Sequence, residues 1–181
     1  MVYADMKAAW WRPSLPEQAL AHPRPWLGEQ VIERLEAILQ PSWTVIEHGS
    51  GGSTLWLSQR VASVISIEHD ETWYRALNER RIANVQMILC ADGIPELPQA
   101  HLLLIDGGAN TIDRAPWLRA APALVCAGGW VVLDNANRPE YEAERESLKT
   151  AAQFYETLDC NDGISKYLVT DFFKLPGGKE T

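Results

Sequence analysis

Apolar residues along this chain switch repeatedly between two spacings, and each switch marks an element. Leu27, Val31, Leu35, Ile38 and Leu39 recur at helical intervals, which predicts a helix running to about Gln40. Thr44–Glu47 reads as a short strand, and a glycine-rich turn then opens a helix over Ser53–Val61. The alternation continues with a strand at Val64–Glu68, a helix at Glu71–Ile82 and a strand at Val85–Cys90. His101–Asp106 is apolar on consecutive positions, as a parallel strand covered on both sides must be. A helix over Ile112–Val125, interrupted by Pro116 and Pro122, leads to a fifth strand at Trp130–Asp134 and a helix at Pro139–Gln153. Phe154–Leu158 and Lys166–Lys174 flank Asn161-Asp-Gly163, the turn chemistry of an antiparallel hairpin. Residues 1–26 carry Pro13, Pro16, Pro23 and Pro25 among Trp10, Trp11 and Trp26, and read as an irregular arm with little room for helix.

Five strand–helix units followed by a hairpin predict an α/β fold, a doubly wound, mostly parallel seven-stranded sheet ending in an antiparallel pair. The expected division is an arm at 1–26, one domain at 27–175 and a flexible tail at 176–181. In such sheets ligands bind beyond the carboxyl ends of the strands, at the switch point. The residues to inspect are therefore Glu47–Thr54, Glu68–Asp70, Ala91–Gly93, Asp106–Gly108 and Asp134–Asn137.

Composition narrows the partners. The 181 residues carry 24 acids against 16 bases, a formal net charge of −8. Such a field repels polyphosphate, so a nucleic-acid substrate is disfavoured and a small molecule is expected. Arg75, Arg80 and Arg81 read as a solvated helix face rather than a binding patch. No apolar run is long enough to span a bilayer, and the first residues lack a signal-peptide layout, so a cytoplasmic protein is expected. Cys90, Cys126 and Cys160 are scattered and odd in number, which predicts reduced thiols and no zinc site. Oligomeric state is not legible.

The chemistry concentrates at the strand ends. Glu47-His-Gly49-Ser50-Gly51-Gly-Ser53-Thr54 follows the first strand, where glycines permit a sharp turn and close approach to a ligand, and the next helix would offer backbone N–H groups. The dinucleotide fingerprint would need glycine where Thr54 stands, which weakens a nicotinamide-dependent oxidoreductase reading. Glu47 would repel a pyrophosphate but could pair with an α-ammonium group. Glu68 ends the second strand 21 residues later, where a carboxylate accepts hydrogen bonds from a ribose diol. Asp92, before Gly93, ends the third.

Glu47-x-Gly49-x-Gly51, Glu68, Asp92 and Ile105-Asp106-Gly107 together resemble the ordered motifs of class I S-adenosylmethionine-dependent methyltransferases. Ile46–Trp56 with Ser66–Asp70 is similar to a group of small bacterial members, and the resemblance extends over about residues 26–175. It implies the Rossmann-like methyltransferase fold. It implies that Glu47, Gly49, Ser50, Gly51 and Ser53 hold the methionine part of the cofactor, that Glu68 with His69 holds the ribose side, and that Asp92 with Gly93 holds adenine. Ser53 stands where a third glycine is common.

Asp106, Asp134 and Asn135 end the fourth and fifth strands. Their oxygens resemble the divalent-metal triad of catechol and caffeoyl-CoA O-methyltransferases, which would imply Mg²⁺ and O-methylation, with Asp106 as the residue that contacts the acceptor. Ala109 stands where those enzymes carry a lysine base, and a metal-free role for the two aspartates is the alternative. Arg114 and Arg138 are further candidates, for an anionic substrate; the aromatic arm could cover a flat or sugar-like one. His48 and His69 sit near the cleft and could serve as bases. A non-catalytic S-adenosylmethionine-binding module is the remaining rival.

Overall fold

The computed structural model describes residues 16–21, 23–107, 114–160 and 169–178. Helix α1 is Pro16–Ala21, α2 is Glu29–Ile38, and strand β1 is Thr44–His48. Then follow α3 (Gly52–Ser58), β2 (Ser63–Glu68), α4 (Glu71–Asn78), β3 (Val85–Leu89) and β4 (Ala100–Ile105). Helix α5 (Ala115–Leu124) runs into β5 (Val125–Asp134), and a single 3₁₀ turn at Pro139–Tyr141 precedes α6 (Glu142–Ala151). Strands β6 (Phe154–Asp159) and β7 (Val169–Lys174) complete the sheet. The expected turn at Asn161–Gly163 and the residues Trp10 and Trp11 lie outside the described residues.

The sheet has seven strands in the order β3-β2-β1-β4-β5-β7-β6. Its first five are parallel, and β7 enters antiparallel between β5 and β6. This is the doubly wound sheet the alternation predicts. The switch point falls between β1 and β4, where successive crossovers leave in opposite directions. Side chains alternate between two cores. Val45, Leu102, Leu104, Val132 and Phe172 pack on α2 and α3. Ile46, Leu103, Ile105, Val131 and Phe173 pack on α5 and α6. Leu102–Ile105 is fully buried throughout, the reason that β4 carries no polar alternation. No helix among the described residues is long and apolar enough to cross a membrane.

Two readings of the sequence need correction. The segment expected to be irregular contains α1, with Pro16 at the helix start, where proline's missing N–H costs nothing. Its Leu20 packs with Leu55 of α3 and Leu77 of α4. The fifth strand begins at Val125 rather than Trp130. Gly128 (φ 77°) and Gly129 accommodate a shift in the pairing with β4, where Ala100 pairs with Val125 but Leu102 with Trp130. A Cβ on Gly129 would lie 2.7 Å from the His101 carbonyl oxygen. The glycines that suggest a loop are thus a bulge within a strand.

At the switch point β1 and β4 continue to touch after their paired residues end. The amides of Asp106 and Gly107 both donate to the His48 carbonyl, at 3.0 and 2.6 Å. Gly49 has φ 93°, and a Cβ there would lie 2.3 Å from Gly107 Cα. Gly51, by contrast, is extended (φ 173°), and a Cβ would meet only the Trp73 ring at 3.8 Å. Gly49→Ala should therefore destabilise the fold by roughly 2–4 kcal/mol, from strained backbone plus overpacking. Gly51→Ala should cost less than about 1 kcal/mol. Urea titrations of the two variants check the contrast, and equal losses would refute it.

Candidate active site

The turn after β1 spends its amides internally. Gly49 N–H donates to the Ile67 carbonyl (2.8 Å), Ser50 N–H to Glu68 Oε2 (2.7 Å) and Gly51 N–H to Thr54 Oγ1 (2.9 Å). The expected row of N–H groups offered to a ligand is therefore closed at these three positions. This disfavours a phosphate cradle and, with it, a dinucleotide.

Glu47 is wholly buried on the α2–α3 side of β1. Its Oε2 accepts from Thr54 Oγ1 (2.6 Å) and Ser66 Oγ (2.7 Å), and Ser50 Oγ joins Ser66 Oγ at 2.6 Å. Its Oε1 has no hydrogen-bond partner among the described residues. Burial pushes the carboxyl up to about 7, against the pull of the Ser53, Thr54 and Ser66 hydroxyls.

Glu68 closes the turn from the other side. Besides Ser50, it accepts at Oε1 from the amides of His69 (2.8 Å) and Asp70 (2.9 Å), with His69 Nδ1 at 3.0 Å. Asp70 caps α4 through the amides of Thr72 and Trp73. Glu68 Oε2, with one donor, keeps a lone pair for a hydroxyl.

A cleft opens over the α5 side of β1 and β2, lined by His48, Ile67, His69, Gly93 and Trp117. The buried imidazole of His48 stacks on Trp117, centroids 4.6 Å apart. Burial and the nearby Arg114 charge hold it down at about 3, so it is neutral, and its Nδ1 has no hydrogen-bond partner among the described residues. Gly93 (φ 78°) turns the chain at the rim. Asp92 is exposed there, and its side chain does not line the cleft, although Ala91 and Gly93 beside it do. Trp26 meets Trp73 edge-on at 5.9 Å, close to Gly51.

Arg114 is not poised for an anionic substrate. Its side chain is 2% exposed and donates to the carbonyls of Gly107 (2.9 Å), Asp106 (2.7 Å), Ile105 (3.5 Å) and Asp134. It clamps the ends of β4 and β5 together. Asp106 and Asp134, which follow the paired residues Ile105 and Leu133, hydrogen-bond to each other through their carboxyls. Thr170 Oγ1 donates to Asp134 Oδ1 at 2.9 Å. Burial first, then the Asp134 charge, pushes Asp106 well above the usual carboxylate range, and burial raises Asp134 as well.

The metal triad is not assembled. Asn135 (φ 52°) turns away, its Oδ1 accepting from Arg138 at 3.1 Å and its carbonyl from the Tyr141 hydroxyl at 2.5 Å. The Arg114 guanidinium stands 3.8 Å from Asp106 Oδ1, placing a fixed positive charge beside the carboxyls a cation would need. Among the described residues no group of three or more His, Cys, Asp or Glu could hold a metal ion.

The structure thus brings together Glu47, Ser50, Glu68 and His69, and separately pairs Asp106 with Asp134. Sequence reasoning missed Thr54 and Ser66 as the partners of Glu47, and the clamp of Arg114. Hydroxyls beneath a buried acid carry no periodic signal, and an arginine's burial depends on where its helix lands.

No family model matches the sequence, and no curated protein matches it. Solved structures do match in fold. The N-methyltransferase NodS from Bradyrhizobium japonicum WM9 superposes with a TM-score of 0.62 at 14% identity, over 81% of this chain and 93% of that one. TYW2 from M. jannaschii, solved with AdoMet, gives 0.57 at 20% identity over 79% and 74%. The tRNA (m1A58) methyltransferase TrmI from Aquifex aeolicus gives 0.61 at 16% identity over 77% of this chain and 65% of its own. The chain has the Rossmann-like class I methyltransferase fold.

Two outcomes follow from the buried charges. An acid raised from 4.5 to about 7 opposes folding once ionised, so its contribution is favourable below 4.5 and is lost as pH rises through 7. The stability of Glu47→Gln relative to the parent should rise by about 3 kcal/mol between pH 4 and pH 8, measured by urea melts; a flat difference would show that Glu47 titrates normally. Arg114→Met, which strips four carbonyls of their donor, should cost about 3–5 kcal/mol in the same melts. A loss below about 1 kcal/mol would mean the clamp is dispensable.

Proposed function

We propose that this protein is an S-adenosylmethionine-dependent methyltransferase acting on a small-molecule acceptor. The observation that carries the reading is the turn Glu47–Ser53. The amides of Gly49, Ser50 and Gly51 are satisfied internally, while a buried carboxyl oxygen of Glu47 is left without a donor among the described residues. That environment disfavours a pyrophosphate and suits the ammonium of a bound amino acid. The donor set fits the rest of the molecule. Glu47 would take the α-ammonium, Glu68 Oε2 a ribose hydroxyl, and the cleft of Ile67, His69, Gly93 and Trp117 the adenine, with His48 Nδ1 an unused acceptor at its floor. Asp92 stands at the rim of that cleft, suited to a contact from its outer side.

The sulfonium supplies an already activated methyl group, so the protein's work is alignment and exclusion of water. Asp106, 22% exposed at the end of β4, is the group we assign to the acceptor. Arg114 fixes its backbone, and Asp134 fixes its carboxyl. O-methylation of a metal-bound diol loses its support with the metal triad, and the reading proceeds without a metal. TrmI acts on tRNA, but the −8 charge of this chain and its acid-lined strand ends favour a small acceptor over a polyanion.

Titration calorimetry with S-adenosylhomocysteine tests the reading, with NAD as the comparison. S-adenosylhomocysteine should bind and NAD should not. Glu68→Ala should weaken binding by about 1.5–3 kcal/mol, the loss expected for hydrogen bonds to a charged acceptor. Gly51→Val should abolish binding while the melting profile stays close to that of the parent, because a Cβ there meets only the Trp73 ring, at an ordinary van der Waals distance of 3.8 Å. NAD binding, or unchanged affinity in both variants, would overturn the assignment.

A further inference from the structure

We infer that two copies of this chain pair antiparallel through their β3 strands, joining two sheets into one across a two-fold axis at Met87.

β3 is an end strand of the sheet, so one of its backbone edges is unpaired. Which residues face that edge follows from the bonds on the other side. The Asn84 carbonyl accepts from Val64 N–H (2.9 Å), and Cys90 N–H donates to the Glu68 carbonyl (2.8 Å). In a parallel pair the N–H and C=O of one residue point the same way, and the direction alternates along the strand. The even-numbered residues therefore bond β2, while Val85, Met87 and Leu89 turn their N–H and C=O groups outward. Val85 N–H is taken by the Ile82 carbonyl (3.1 Å), which leaves the Val85 carbonyl and both groups of Met87 and Leu89 to be met.

An open edge is a hazard that proteins blunt with charge, proline or a covering element. β6, at the other end of the sheet, carries Glu156 and Asp159, and Arg34 holds Glu156 at 2.7 Å. β3 has no such device. From Ile82 to Ala91 there is no charged residue and no proline, in a chain whose residues are 22% charged. Leu89 is 44% exposed. The connection from β3 to β4, residues 90–99, holds no helix, so Ile88, Ile94 and Leu97 are only partly buried at this end of the sheet.

Charge selects the occupant. Arg80 and Arg81 lead into β3 and Asp92 follows it, and all three are exposed with no ion pair among the described residues. A strand that is basic before its start, neutral along its length and acidic past its end is complementary to itself when reversed. Antiparallel pairing sets Arg80 and Arg81 of each copy beside Asp92 of the other, whereas parallel pairing would set like charges together. The backbone agrees. With the axis at Met87, the two Met87 residues exchange both N–H···O bonds, and Leu89 N–H donates to the Val85 carbonyl of the second copy. The side chains agree as well. Val85, Met87 and Leu89 share one side of the sheet, so the exposed Leu89 packs on Val85 of the second copy. Two chains of net charge −8 repel each other, and a neutral, self-complementary edge is where they can meet. Two β6 strands would bring acids together with no base in either.

Sedimentation equilibrium on the full chain should show a dimer of the 20.3 kDa protein, with a dissociation constant that rises with salt. Leu89→Lys should raise that constant about tenfold or more, because the new ammonium would be buried against Val85 of the second copy. Arg80→Glu combined with Arg81→Asp should do the same, aspartate being suited to the φ of 47° at position 81. Adding Asp92→Arg to that pair should restore the parent's constant to within about threefold. Thermal melts verify the fold of each variant. Hydrogen exchange reads the unaltered chain: the Met87 and Leu89 amides should be protected in concentrated samples and exchange freely on dilution. A parent that stays monomeric at about 100 µM would overturn the pairing. So would a dimer indifferent to both the Leu89 and the arginine substitutions, or one in which those two amides exchange freely.

Discussion

Gly49 and Gly107 meet backbone to backbone, and the site is built around that contact. Beyond the last paired residues of β1 and β4, two chains normally diverge as crossovers leave for opposite faces of the sheet. Here the absence of both side chains lets them stay together for another residue, with two amides sharing the His48 carbonyl. The groups at the switch point take their positions from this junction. Glu47 and His48 precede it on β1, on opposite faces. Asp106 precedes it just past β4, and Arg114 anchors to the carbonyls of Asp106 and Gly107. A wider separation would open water access to Glu47 and remove the burial that shifts its titration.

The acids at this edge are held differently, although all are carboxylates at strand ends. Glu68 receives three backbone N–H groups and is tied into the turn. Glu47 receives hydroxyls and little else. Asp106 and Asp134 receive each other. Their environments grade from a carboxylate held by backbone amides to carboxyls partnered mainly by side chains, and burial raises Glu47, Asp106 and Asp134.

Much of this was legible in the sequence, for reasons that differ by element. The buried run His101–Asp106 and the alternation of strand and helix follow from which faces must be covered, so the sheet could be written down directly. The candidate acids were visible because strand ends are easy to place. What escaped was whatever depends on a second segment's arrival. Arg114 looks like any loop arginine until α5 brings it under four carbonyls. Asn135 looks like a third ligand until its left-handed backbone turns it toward Arg138. Gly49 and Gly51 look equivalent in the motif, yet only the first has another backbone against it. Helix α1 is hidden in the sequence because Pro16 reads as a helix breaker unless it stands at the helix's first position.

The antiparallel strand β7 has a consequence for assembly. It is threaded between β5 and β6, and it supplies Phe172 and Phe173, one to each core. A nascent chain that has emerged only as far as β6 therefore cannot form its mature sheet. Its fifth strand presents an open edge, β6 has nothing beside it, and both cores lack an aromatic ring. Thr170, which holds Asp134, arrives with the same strand. The pairings among β1, β2 and β4 need none of β7, but closure of the sheet waits on a distant segment, the kind of long-range pairing that slows folding and leaves intermediates with exposed edges. The last strand to arrive both seals the sheet and finishes the acidic face, so an incompletely translated chain would have neither.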